Sequence, residues 1–173
     1  RTRRLKAGEE EQLLSLCVDD PVLENFISLA IETAMRRSEL IAMRWSYIDW
    51  ENSTLSIPHT KNGIPRVIPL SLKARTILKS ISRTNDHVFS ITATAASQRF
   101  AKACKQAGIC DLRLHDMRRE AISRLFEQGF SQMEVASISG HLTVSMLALY
   151  TNINVSHLSS RMEALETGRS ERP

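Results

Sequence analysis

Six side chains stand out by type and spacing. Arg36, followed by Arg37, falls at a break between helical stretches in Met35-Arg36-Arg37-Ser38-Glu39-Leu40. Lys61 lies in Thr60-Lys61-Asn62-Gly63, and His115 and Arg118 form an H-x-x-R pair that a helix puts on one face. His141 follows Gly140, and Tyr150 comes nine residues later. Guanidinium and ammonium groups bind anions, imidazole moves protons, and a phenol is a nucleophile once deprotonated. Each feature alone has a plainer reading: a charged loop, an idle turn lysine, a chance pair, a half-buried packing tyrosine. Only their order and spacing together carry weight.

The elements that must position these groups follow from periodicity and caps. Residues 8–18 and 21–35 read as helices, the second entered through Pro21 with Val22, Phe26, Leu29, Ala30 and Ala34 at helical spacing. Ser38 reads as an N-cap for a short helix over 39–44, followed by an irregular stretch packing Trp45, Ile48 and Trp50. Residues 53–58 alternate around Leu55 and Ile57, and 65–70 around Val67, with Asn62-Gly63 between them. That pair predicts a type I′ hairpin with Lys61 at or beside its tip. Helices follow over 71–82, 92–107, 114–128 and 131–139, the last three closed by Gly108, Gly129 and Gly140. Ser131 and Glu134 have capping-box spacing. Two more helices are expected over 143–151 and 156–166, then a polar tail over 168–173. The fold class is therefore mostly α (α+β): a helical domain with one small antiparallel β-sheet.

Composition sets the bounds. The 173 residues, 42% hydrophobic and 24% charged, suit one globular domain and exclude a disordered or collagenous chain. Net charge is +4, unevenly spread. Residues 1–50 sum to −2, residues 51–130 to +7 and residues 131–173 to −1. The basic middle suits a polyanionic partner. Cys17, Cys104 and Cys110 make no C-x-x-C pair, so neither a disulfide framework nor a zinc site is expected, and a reducing compartment is. No apolar run follows Arg1-Thr2-Arg3-Arg4, so no signal peptide is read there, and no stretch suggests a membrane span. The start at Arg suggests a piece of a longer protein.

Taken in order, an arginine, a hairpin lysine, His-x-x-Arg, Gly-His and a tyrosine nine residues on form a pattern that resembles the catalytic domain of the tyrosine recombinases, the phage-integrase family. Glu32 to Leu40 is similar to the family's first-arginine box, and Arg44-Trp45-Ser46-Tyr47-Ile48-Asp49 to the stretch after it. Thr60 to Gly63 resembles the lysine hairpin, Leu114 to Arg119 the second-arginine box, and Gly140 to Tyr150 the final box. The likeness covers residues 1–167. Two departures stand out: Ala34 where the family often has Gly, and Arg119-Glu120 where it often has His-Thr.

The resemblance implies a site-specific recombinase or integrase that cuts and rejoins DNA for integration, excision or inversion. Tyr150 would attack a phosphodiester, giving a 3′-phosphotyrosine and a free 5′-hydroxyl. An ordinary phenol is only about 0.1% ionised at pH 7, so it needs a base or a positive surround. His115 is the candidate proton acceptor or phosphate ligand. Arg36 and Arg118 offer planar forks to the phosphate oxygens, and His141 one more hydrogen bond. Lys61 is the candidate general acid for the leaving oxygen. These six form the catalytic set, with no cofactor and no metal expected. Arg37, Arg66 and Arg119 are candidate DNA-backbone contacts, whereas Glu39 reads as a structural partner of an arginine and Tyr47 as packing. Expected partners are double-stranded DNA and further copies of the chain, a tetramer on two sites, with no membrane involved. The expected setting is the bacterial cytoplasm beside the DNA, and the family's N-terminal core-binding domain is expected to precede this piece. A type IB topoisomerase-like enzyme and a non-catalytic DNA-binding module are the alternative readings.

Overall fold

In a computed structural model, residues 3–147 are described, together with Tyr150 and Met162. Seven α-helices surround one small sheet among them. They are α1 (Glu9–Ser15), α2 (Pro21–Thr33), α3 (Arg37–Ile41), α4 (Leu72–Ser80), α5 (Ala93–Gln106), α6 (Leu114–Glu127) and α7 (Gln132–Ser139). The strands β1 (Ile48–Asp49), β2 (Thr54–Ile57) and β3 (Arg66–Pro69) pair antiparallel in that order. No helix among the described residues is long and apolar enough to cross a membrane.

Helix α2 is the spine of the core. Its Leu23, Phe26, Ile27 and Ala30 are almost fully buried, and Phe26 meets Phe89 edge to face with ring centroids 5.0 Å apart. It packs on α4 and α6, so the apolar stripe read from the sequence sets the position of the helix carrying His115 and Arg118. Local caps follow the sequence closely. Asp20, Ser71 and Thr92 accept from the backbone N–H groups of Leu23, Ala74 and Ala95. Ser131 and Glu134 form the expected capping box.

Several expectations change. Helix α2 stops at Thr33, because Ala34 turns into the left-handed region with φ 52°. A glycine adopts that conformation without a Cβ penalty, which accounts for the family's frequent choice at this place. Ser38 is not the cap of α3; the helix begins at Arg37, since the Glu39 carboxylate reaches back 2.8 Å to the Arg36 N–H. The hairpin is not a two-residue type I′ turn. The last pair is Ile57 with Arg66, and Thr60–Gly63 forms a turn inside the longer loop. Only Gly63 of that turn has positive φ. The inward face of β3 is Ile68, not Val67, because Ile68 pairs with the buried Leu55 while Val67 is 57% exposed. The stretch read as irregular holds a 3₁₀ turn at Trp45–Tyr47 and strand β1.

After α7, a 3₁₀ turn at Val144–Met146 stands where a helix over 143–151 was expected. The rest of that helix apart from Leu147 and Tyr150, nearly all of the helix over 156–166, and the polar tail lie outside the described residues.

Candidate active site

The site forms where three chain segments meet: the α2–α3 junction, the N-terminal half of α6 and the C-terminal end of α7. A helix end leaves carbonyls without intrahelical partners. Arg118 and Arg36 take up such carbonyls here. Arg118, 4% exposed, donates from Nη2 to Ser139 O at 2.7 Å and from Nη1 to Ala34 O at 2.5 Å. Arg36 donates from Nη2 to Gly140 O at 3.0 Å and from Nη1 to Glu39 Oε1 at 2.9 Å. The partial negative charge at the α7 C-terminus and the fixed forks thus orient both guanidiniums before any anion arrives.

Glu39 balances this cluster. It is 4% exposed and accepts from the Arg36 backbone, from Arg36 Nη1, and from Arg66 Nη1 and Nη2 at 2.9 and 2.8 Å. Burial pushes its acid upward, but the hydrogen bonds from Arg66 and Arg36 overcome this and hold it below the ordinary value. The reading of Glu39 as an arginine's partner therefore holds, with Arg66 as a second partner the sequence did not announce. Arg66, a candidate DNA-backbone contact, is turned into the domain rather than out to solvent. Its side chain is 10% exposed, and its Nε donates to Ile138 O at 3.0 Å. Three arginines against one glutamate leave a local excess of two positive charges.

Burial, then Arg36, bring Arg118 down to about 10. Burial, then Arg118, Arg36 and Arg66, bring His141 down to about 4, so the ring is neutral at pH 7. His115, on the solvent side of α6, is lowered by loss of hydration and by Arg118. The Tyr150 ring lies 6.0 Å from the His141 ring, tilted by 53°. Arg119 turns inward as well, its guanidinium 4.9 Å from the centre of the Tyr150 ring. Its Nε is buried with no hydrogen-bond partner among the described residues.

Arg36, His115, Arg118, His141 and Tyr150 are therefore gathered at one place. Lys61 stays exposed on the β2–β3 loop, but its neighbour Asn62 reaches Gly140 O at 3.4 Å, which ties the loop to the site's edge. Arg37 is exposed at the start of α3 and donates to Ser97 Oγ at 2.6 Å; of the three backbone-contact candidates it alone faces outward. Tyr47 packs against the core, as read. Among the described residues no group of three or more His, Cys, Asp or Glu side chains is arranged to hold a metal ion.

Sequence reasoning missed Ser139. It is fully buried, its Oγ is 2.6 Å from Val135 O and 2.7 Å from His141 Nδ1. Its place two residues before His141 was the available signal.

Fold and site together define a class: a helical domain that converges one buried and one half-buried arginine, two histidines and a tyrosine around a local excess of positive charge. The same fold occurs in the crystal structure of XerA recombinase, with a TM-score of 0.75 at 20% identity over 99% of this chain and 65% of that one. It also occurs in the Tn1549 transposon integrase in complex with transposon right end DNA, with a TM-score of 0.77 at 19% identity over 96% and 66%. A shufflon-specific DNA recombinase of Escherichia coli is 40% identical over 167 residues, 95% of this chain and 44% of that protein. The family model described as "Phage integrase family" matches residues 3–157, and the chain belongs to that family. The chain spans less than half the length of that E. coli relative.

Proposed function

We propose that this chain is the catalytic part of a site-specific DNA recombinase that cuts and rejoins strands through a covalent bond between Tyr150 and a DNA 3′-phosphate. The observation that carries this reading is the convergence of Arg36 and Arg118, both fixed on backbone carbonyls, beside His141 and Tyr150. Family membership and the DNA complex of the Tn1549 integrase support it.

The Tyr150 oxygen attacks phosphorus, and the bond from phosphorus to the 5′-oxygen breaks. The leaving oxygen takes a proton from Lys61, which the loop carries at the edge of the site. Arg36 and Arg118 take the growing charge on the non-bridging oxygens, and loss of one such preorganised donor costs ~10²–10³ in rate. His115 and His141 divide proton acceptance and phosphate binding between them. The phosphotyrosine conserves the phosphodiester's energy, so a 5′-hydroxyl rejoins the strand without ATP. Arg37 contributes a backbone contact. The working assembly is a tetramer on two DNA sites, acting in the cytoplasm beside the chromosome or mobile element that carries those sites.

The test uses nicked duplexes with a randomised core, incubated with the chain in EDTA and stopped in SDS. Wild-type protein should give a covalent protein–DNA band, and Tyr150→Phe should give none. A band that survives Tyr150→Phe overturns the nucleophile, and a band that requires Mg²⁺ overturns the charge-neutralising role of the arginines.

A further inference from the structure

Arg119 follows Arg118 on α6, yet its partner is of a different kind. The two buried glutamates of the region are engaged by other groups. Glu120 accepts from Arg4, Arg124 and the Leu5 N–H, and Glu39 from Arg36 and Arg66. Arg119 instead lies with its guanidinium 4.9 Å from the centre of the Tyr150 ring. Arg36, Arg66 and Arg118 already outnumber Glu39 in this site, so a fourth guanidinium turned inward is repelled. The Arg119 Nε is also buried with no hydrogen-bond partner among the described residues. A buried donor without an acceptor is destabilising, and a side chain with no task at the ring would turn that N–H to water. The offsetting attraction is the negative face of an aromatic ring, which draws a cation.

Tyr150 needs such a hold. Its ring turns about two side-chain bonds, and in-line attack requires the phenolic oxygen to come within about 3–3.5 Å of phosphorus. The Tyr150 N–H donates to Leu147 O at 2.9 Å, which fixes the backbone but not the ring. The ring packs on the apolar cluster of Ala34, Ala121, Ile122, Val135 and Leu147 and lies 6.0 Å from the His141 ring. Arg119 adds the charged side of this seat. It is joined to Arg118 by one peptide bond, so the hold on the ring and one half of the phosphate clamp share a single helix. We infer that Arg119 positions the nucleophile: its guanidinium holds the Tyr150 ring in register with the phosphate that Arg36 and Arg118 bind.

This role rests on Tyr150 being the nucleophile. Arg119 acts through the ring face and leaves the phenolic oxygen free to attack, so it is a positioning residue and exchanges no proton. The rival is the backbone contact expected from the sequence. A phosphate contact acts on binding, whereas a positioning residue acts on the rate once DNA is bound.

The ring contact is read without DNA. In the chain labelled with ¹⁵N-arginine, Arg119→Lys identifies the Arg119 Nε–H signal, which the ring current of Tyr150 should displace. Tyr150→Phe keeps a ring and should keep the displacement; Tyr150→Leu should abolish it. A signal that does not move in Tyr150→Leu overturns the contact, whether or not Tyr150 is the nucleophile. The role is read on the nicked duplexes that give the covalent band. Arg119→Met keeps an apolar stem and drops the charge. Its cleavage rate at saturating duplex should fall by ~10–10²-fold, with the urea midpoint no lower and retention at low salt little changed. Arg119→Lys, whose ammonium can lie over the same ring face, should recover part of that loss. An unchanged rate, or a lysine no better than methionine, overturns the positioning role. A salt slope of binding lower by about one, with the rate unchanged, makes Arg119 a backbone contact instead. A Tyr150→Phe variant that still forms the covalent band overturns the nucleophile, and the ring-current result stands apart from it.

Discussion

Glu39→Gln separates a structural counter-ion from a bystander. The carboxylate is 4% exposed and accepts from one backbone N–H and from two guanidiniums. A glutamine keeps the volume, turns an N–H₂ toward an arginine and removes the charge. The local excess then rises from two positive charges to three, counting Arg36, Arg66 and Arg118. Removing one partner of a buried ion pair costs about 3–5 kcal/mol, chiefly because the other charge is left uncompensated. For a chain of this size that is a fall in Tm of roughly 6–20 °C. Urea unfolding should show the loss in the midpoint with the slope unchanged. Sulfate supplies the opposite test, because anion binding to the folded state stabilises by mass action. The variant should gain more from sulfate than wild type. Because Glu39 titrates below the ordinary value of 4.5, its contribution is complete above that pH and is lost only on further acidification, so the gap between the proteins should hold down to about pH 4.5 and narrow below it. A loss under about 1 kcal/mol with equal sulfate response would refute the argument, since it would mean that water already screens the cluster.

Further expectations follow from the same geometry. Gly140→Ala should lower both stability and cleavage, because φ is +72° and a Cβ would lie 2.9 Å from Arg66 Nη1; urea midpoints and the covalent band check it, and full activity would contradict it. His141 is at about 4 against an ordinary 6.5, so the unfolded chain takes up a proton that the folded chain refuses. Stability should therefore decline as pH falls from about 6.5 toward 4, by at most ~3 kcal/mol, and His141→Gln should flatten that part of the profile. Arg118→Lys cannot reach Ala34 O and Ser139 O together, so the covalent band should fall by ~10²–10³ while DNA retention at low salt changes little.

What could be read from the sequence was local. Ser71, Thr92 and Ser131 cap helices with atoms three residues away, so their signals survive without a fold. The six catalytic candidates were legible because their order is carried by the chain, and five of them meet in space. The misreadings arise where distant residues decide. Val67 and Ile68 are both apolar and β-branched, and only the pairing of Ile68 with Leu55 chooses the inward one. Strand β1 has two residues, too few for periodicity, and exists because Ile48 pairs with Leu55. Ser38 looks like a cap until the Glu39 carboxylate takes the Arg36 N–H. Arg66 in a basic segment reads as a surface charge until Glu39 and Ile138 O engage each of its three side-chain nitrogens. Arg119, at a departure from the family's usual residues, reads as a phosphate contact until Tyr150 lies against it.

One measurement bears most directly on the central reading. The SDS-stable complex formed on nicked duplexes can be digested with trypsin and nuclease, and the nucleotide-bearing peptide sequenced by mass spectrometry. The account predicts a single adduct on Tyr150, joined through a DNA 3′-phosphate. An adduct on another residue, or one joined through a 5′-phosphate, would contradict it.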